Sequence, residues 1–238
     1  VKAVILCGGQ GTRLAPYTSV LPKSLLPVDG RPVLEIILGH LRRHGIREAT
    51  LAVGHLAELI MAYCGDGSRF GLTLHYSRET QPLGTAAPLA RIAGLTETFL
   101  IMNGDILTDL DLGAMAAAHR SSGALCTIAT HTRHIPIPFG VAESDPGGRL
   151  LRFQEKPTHT YQACAGIYLM EPRVLEFIPD GAALDMPALI QRLLDAGEVV
   201  RCHAFSGPWQ DIGNREDLGR ALPQGASPRT ADVLPAQP

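Results

Sequence analysis

Ala3-Val4-Ile5-Leu6-Cys7-Gly8-Gly9-Gln10-Gly11-Thr12-Arg13 is the stretch that decides the fold. A continuous apolar run of this length reads as a strand buried on both faces, and the glycines that follow read as the loop leaving its carboxyl end. The same alternation continues outward from it. Asp29-Gly30-Arg31-Pro32 is a turn that places Pro at the start of a helix. Leu34, Ile37, Leu38 and Leu41 then recur at helical spacing until Gly45 ends the run. Strands are predicted over 49–53 and 71–76, with a helix over 56–63 between them. Gly84-Thr85 is expected to open a further helix, with Thr85 as its cap. A third buried run, 99–102, ends in Asn103-Gly104-Asp105, and a helix over 112–119 and a strand over 125–130 follow.

Strand, helix, strand in repetition is the pattern of a parallel sheet covered on both faces. The second half is less regular. A hairpin is expected over 139–143 and 149–154 around Asp145-Pro146-Gly147-Gly148, then a strand over 163–170 and a helix over 187–196. The fold class is therefore α/β: a Rossmann-like, three-layer α/β/α arrangement with a mixed, mostly parallel sheet and a smaller β region. Residues 1–222 are read as one domain, with halves at about 1–120 and 121–222 and a closing helix after Asp211. Residues 223–238, rich in Pro, Ala, Ser and Gln, are read as a disordered tail.

Composition bounds the partners. The chain has 238 residues, 45% hydrophobic and 18% charged, enough for a sizeable core. With 21 Lys and Arg against 23 Asp and Glu, the net charge is −2, which disfavours nucleic acid and polybasic membrane binding. Aromatics at 5% disfavour base-stacking platforms. Cys7, Cys64, Cys126, Cys164 and Cys202 form no C-x-x-C pair and read as reduced cysteines of a cytoplasmic protein. No apolar run is long enough to span a membrane and no secretory segment is recognised at the N-terminus. His40 and His44 are expected at the surface near a helix C-terminus, and His131 and His134 lack the partners of a zinc site. Cys7 reads as a small apolar packer.

Gly8-Gly9-Gln10-Gly11-Thr12-Arg13 lies where open α/β sheets bind ligands. Glycines let backbone N–H groups approach phosphate, Arg13 adds a planar fork and Lys23 a point charge. A plain glycine turn with surface charges is the competing reading. No G-x-x-x-x-G-K-[ST] occurs, and Gly9-x-Gly11-x-x-Leu14 lacks the third glycine of a dinucleotide fingerprint. Asp105 ends a buried strand beside this loop, a good place for a metal ligand, yet taken alone it reads more readily as a helix-capping surface residue. Glu155-Lys156, taken alone, is a common surface pair. Gly140 and Gly166 interrupt strand-like runs and mark a bulge or a close approach.

Taken together, these segments resemble a known family. Gly8 to Thr18, then Pro22-Lys23-Ser24-Leu25-Leu26-Pro27-Val28, Asn103-Gly104-Asp105, Glu155-Lys156-Pro157, Ala165-Gly166-Ile167-Tyr168 and Trp209-Gln210-Asp211-Ile212-Gly213 occur in the order of the motifs of sugar-phosphate nucleotidylyltransferases (nucleotide-sugar pyrophosphorylases). The likeness covers about residues 2–220. It implies that a sugar 1-phosphate and a nucleoside triphosphate give a nucleotide-sugar and pyrophosphate. It also implies Mg²⁺ held by Asp105 and Asp211, Arg13 on the leaving phosphates and Lys23 on the α-phosphate and the attacking phosphate. Leu6, Gly8, Gly9, Gly11, Thr12, Glu79, Pro82, Gly84, Thr85, Asn103 and Gly104 would bind the nucleotide. Gly140, Glu155, Lys156 and Gly166 would bind the sugar phosphate, in the β region of the second half. Family members are commonly oligomers, so a homo-oligomer, with a dimer favoured, is expected.

The segment from Glu79 to Ala86 corresponds to the family's base-reading loop. Its Pro82-Leu83-Gly84-Thr85-Ala86 looks like the mannose-1-phosphate guanylyltransferase branch. Relatives using other bases usually carry Gln where Glu79 aligns, and a carboxylate can accept from guanine N1–H and N2–H₂ together. GTP with a mannose-1-phosphate-type or cyclitol acceptor is the favoured reading. UTP or dTTP with glucose 1-phosphate is the alternative, and a non-catalytic nucleotide-sugar-binding regulatory subunit a third. The competing reading of Glu79 is a solvated loop charge beside a backbone that reads the base.

Overall fold

The computed structural model describes residues 1–79 and 81–213; the predicted tail and closing helix lie outside the described residues. In chain order the elements are β1 (Lys2–Cys7), β2 (Pro27–Val28), β3 (Arg31–Pro32), α1 (Val33–Arg43), β4 (Glu48–Val53), α2 (Ala57–Cys64), β5 (Thr73–Arg78), β6 (Phe99–Asn103) and β7 (Ile106–Thr108). Then come α3 (Leu112–Ser122), β8 (Cys126–Pro136), β9 (Val141–Ser144), β10 (Leu150–Gln154), β11 (Thr158–Met170), α4 (Met186–Asp195), β12 (Val200–Phe205) and β13 (Trp209–Asp211).

The central sheet runs in the order β12-β8-β11-β6-β1-β4-β5. β6, β1, β4 and β5 are mutually parallel, β11 is antiparallel to both its neighbours, and β12 is parallel to β8. The sheet is thus mixed and mostly parallel, in a Rossmann-like three-layer domain. β1 is central because its residues are apolar on both sides. Ala3, Ile5 and Cys7 face the layer of α1, α2 and α3, while Val4 faces the layer of α4 and the short turns around it. The chain leaves β1 towards β4 on one side and later returns to β6 on the other. A crevice therefore opens at the carboxyl ends of β1 and β6, where such sheets bind ligands.

Three expectations are corrected. His40 is 3% exposed, because it lies beside the α1 stripe of Ile37, Leu38 and Leu41 and meets His44 edge-on at 4.6 Å. Burial, reinforced by His44 and Arg43, lowers its pKa to about 4. Gly84-Thr85 does not open an α-helix: only a short 3₁₀ turn, Ala87–Arg91, follows. The Thr85 hydroxyl instead accepts from the N–H of Met186 at 2.7 Å and caps α4. Gly140 lies just ahead of β9, not within a strand. β8 and β11 also run longer than expected, forming an antiparallel arm that reaches Pro136 opposite Thr158, with the β9–β10 hairpin between them in sequence.

Candidate active site

The loops at the carboxyl ends of β1, β4 and β6 are tied by contacts that exclude side chains. A Cβ on Gly54 would stand 2.9 Å from the Gly8 carbonyl oxygen, and one on Gly104 would stand 2.7 Å from the Cys7 sulfur. The N–H of His55 donates to Gly8 O at 3.3 Å and that of Gly104 to Leu6 O at 2.9 Å. Gly11 turns with φ +63°, and the Thr18 hydroxyl donates to its carbonyl at 2.9 Å. His55 Nε2 in turn meets Thr18 O at 3.1 Å. The glycine loop is therefore held from below by Thr18 and His55 before any ligand arrives.

A cavity of about 600 Å³ opens above these ties. Leu6, Gly8, Gly9, Gly11, Thr12 and Arg13 line one wall, with Lys23 beside them. Asn103, Gly104 and Asp105 line the second, and Glu79, Pro82, Gly84 and Thr85 the end nearest β5. Buried Leu14 anchors the turn on which Arg13 is exposed. Cys7 also lines the cavity, but burial pushes its thiol far above the ordinary range, which leaves it inert as a nucleophile.

Glu79 is half-buried. Its Oε2 accepts from Leu83 N–H at 3.4 Å, and burial raises its pKa above the usual carboxylate value. The segment that follows is locked to the second half of the chain. Leu184 exchanges backbone bonds with Leu83, Ala86 and Ala87, and Asp185 Oδ1 accepts from Thr85 N–H at 3.1 Å. Gly84 (φ +84°) fits there because a Cβ would stand 2.6 Å from Leu184 O.

At the opposite end, β13 pairs antiparallel with β7, setting Asp211 opposite Ile106. The N–H of Ile212 donates to Asp105 O at 3.0 Å. Lys23 Nζ forms an ion pair with Asp105 Oδ2 and lies 3.8 Å from Asp211 Oδ1. Asp105 Oδ1 is buried without a hydrogen-bond partner among the described residues. Two carboxylates against one ammonium leave net negative charge, so the donor set fits a hard divalent cation that also keeps water and phosphate ligands. Among the described residues no group of three or more His, Cys, Asp or Glu side chains could hold a metal ion.

The residues expected on the sugar side are only partly gathered. Gly166 lies in the bulge of β11 (φ +72°), where a Cβ would stand 2.7 Å from Asn103 Nδ2, and so abuts the cavity wall. Gly140 is packed against Phe153 and Glu155. Glu155 and Lys156 lie between β10 and β11, exposed and 3.9 Å apart, outside the cavity lining.

Gly54, His55, Ser24 and Gln81 line the cavity without having been singled out in the sequence. The signal for Gly54 and His55 was their place directly after the predicted strand 49–53, the same rule that marked Gly8 and Asp105.

Fold and cavity define a class: a Rossmann-like domain that offers a glycine loop, a lysine and a carboxylate pair to a polyphosphate. The chain belongs to the nucleotidyl transferase family, whose model matches residues 2–226. A UTP–glucose-1-phosphate uridylyltransferase from Synechocystis sp. is 36% identical over 93% of this chain and 62% of its own length. A mannose-1-phosphate guanylyltransferase from Mycobacterium tuberculosis is 35% identical over 97% of this chain and 67% of its own. The chain thus spans roughly two thirds or less of these relatives. A putative glucose-1-phosphate thymidylyltransferase from Bacillus anthracis, solved in complex with sucrose, superposes with a TM-score of 0.75 at 26% identity, covering 92% of this chain and 93% of that one. No helix among the described residues is long and apolar enough to cross a membrane.

Proposed function

We propose that this protein transfers a nucleotidyl group from a nucleoside triphosphate to a sugar 1-phosphate, releasing pyrophosphate. The observation that carries the reading is that Lys23 and Asp105 line one cavity with the glycine loop, with Asp211 3.8 Å from Lys23. An acceptor phosphate oxygen attacks the α-phosphorus, the bond to the bridging oxygen breaks, and pyrophosphate leaves. Two polyanions must meet, so the work is neutralisation and positioning.

In this reading the N–H groups of the glycine loop and Arg13 hold the β- and γ-phosphates, and Lys23 moves between its carboxylate partners and the α-phosphate. Asp105 and Asp211 would hold Mg²⁺, which supplies charge for the phosphate oxygens when bound. Leu6, Asn103 and Gly104 close the floor under the nucleoside, and Pro82, Gly84 and Thr85 frame the base. Gly166, Gly140, Glu155 and Lys156 serve the sugar phosphate, the last two from the arm.

GTP is the favoured donor. The support is Glu79, a half-buried carboxylate on the wall where the base would lie, suited to the two adjacent donors of guanine. The Mycobacterium tuberculosis relative, a guanylyltransferase, points the same way and suggests a mannose-1-phosphate-type acceptor. The second reading, UTP or dTTP with glucose 1-phosphate, is favoured by the names of the Synechocystis and Bacillus relatives. Pyrophosphate release, measured for each triphosphate against mannose, glucose and cyclitol 1-phosphates with Mg²⁺, separates these readings. Release with GTP above UTP and dTTP supports the first, and release led by UTP or dTTP selects the second.

A further inference from the structure

Past the carboxylate pair, the next residue on the same side of β13 is Trp209. Asp211 pairs with Ile106 and Trp209 with Thr108, and residues two apart on a strand share a face about 6.6 Å apart. The indole is fixed from several sides. Its Nε1–H donates to Ala165 O at 2.9 Å, and His131 of β8 stacks on it with ring centroids 5.8 Å apart. His131 Nε2 also meets Gly207 O at 3.0 Å, pinning β8 to the segment that leads into β13.

On this fixed ring lies the guanidinium of Arg133, with Cζ 4.7 Å from the ring centroid. Arg133 sits two residues beyond His131 on β8, is exposed, and has no carboxylate partner among the described residues. A guanidinium held over an aromatic ring does not use its N–H donors in that contact, and its fork matches two oxygens of a phosphate. Trp209 is already held by Ala165 and His131, so it does not need Arg133 as an anchor. Lys156 lies between β10 and β11 with its side chain 69% exposed, and both it and Arg133 stand outside the cavity lining.

We propose that Arg133, shelved on Trp209, is a substrate-binding residue that grips the phosphate of the acceptor sugar 1-phosphate and sets it beside the Asp105–Asp211 pair. The proposal rests on the transfer reading above and adds a residue to it. It orders the two anions along one line. The triphosphate lies on the glycine-loop side of the carboxylates, and the acceptor phosphate on the β13 side. Each meets its own arginine, Arg13 for the donor and Arg133 for the acceptor.

The test is steady-state kinetics of the full chain with Mg²⁺, varying each substrate separately, for wild type, Arg133→Gln and Arg133→Lys. Arg133→Gln is expected to raise the KM of the sugar 1-phosphate by about tenfold or more, while the triphosphate KM stays within about twofold. Arg133→Lys keeps the charge but loses the fork and falls between the two. Inorganic phosphate should compete with the sugar 1-phosphate in the wild type and lose that competition in Arg133→Gln. An unchanged acceptor KM, or equal rises in both KM values, overturns the assignment of Arg133 while leaving transfer intact. No pyrophosphate from the wild type with any substrate pair overturns the transfer reading itself, and this proposal with it.

Discussion

The N–H of Ile212 donates to the carbonyl oxygen of Asp105 at 3.0 Å, and through this bond the last described strand is fastened beside the end of the sheet's buried strand β6. The carboxylates of Asp105 and Asp211 come together because of it, with Lys23 against both. Replacing Asp105 by Asn keeps the shape and removes the charge. Pyrophosphate release should fall by about a hundredfold or more, with the thermal midpoint within a few degrees of wild type. Asp211→Asn should behave alike, and the double variant should lose little more than either single one, because residues acting as a unit are non-additive. Normal turnover of Asp105→Asn at ordinary Mg²⁺ would remove the metal assignment.

Glu79 makes the choice of base testable. Glu79→Gln retains an oxygen acceptor but puts donors where the second carboxylate oxygen was. The ratio of kcat/KM for GTP over UTP should drop by about tenfold, the scale of one well-formed base contact. An unchanged ratio would assign base reading to the backbone of residues 81–85.

Thr85 links the two halves. Its hydroxyl caps α4 at Met186, and Asp185 accepts from its own N–H. Thr85→Val should cost about 1 kcal/mol of stability, as lost caps do, and Thr85→Ser should recover most of it. Urea midpoints measure both.

The distribution of legible and illegible features follows from the range of the interactions. The glycine loop and Asn103-Gly104-Asp105 were legible because each sits at the end of a local apolar run. The family likeness then supplied Asp211, whose partner strand is remote in sequence. Thr85 looked like the cap of its own helix because capping is read locally, yet its acceptor oxygen serves a helix of the other half. His40 carries a polar side chain on the border of an apolar stripe, and only its contacts with His44 and the backbone of Leu110 show that it is inside. Glu155 and Lys156 were recognisable as a motif, while their position on a long arm was not, because strand length beyond 130 and before 163 is not encoded in apolar alternation.

Buried His40 also gives the fold a pH dependence. Its folded pKa is about 4 against an ordinary value of 6.5, so on acidification the unfolded chain takes the proton first. The stability present above pH 6.5 is therefore lost as pH falls towards 4, by up to about 3 kcal/mol. Denaturant titrations of wild type and His40→Leu across that window should diverge, with the variant showing the shallower decline. Parallel curves would mean that His40 does not titrate on unfolding in that range.

The central claim is transfer between two phosphates, as distinct from hydrolysis or simple binding, and phosphorus NMR follows it directly. With GTP, mannose 1-phosphate, Mg²⁺ and the full chain, the account predicts that the γ-phosphate and sugar monoester signals decline together. Pyrophosphate and the paired signals of a diphosphate diester should rise in their place. Loss of the γ-phosphate signal to orthophosphate and GDP, with the sugar 1-phosphate untouched, would contradict it.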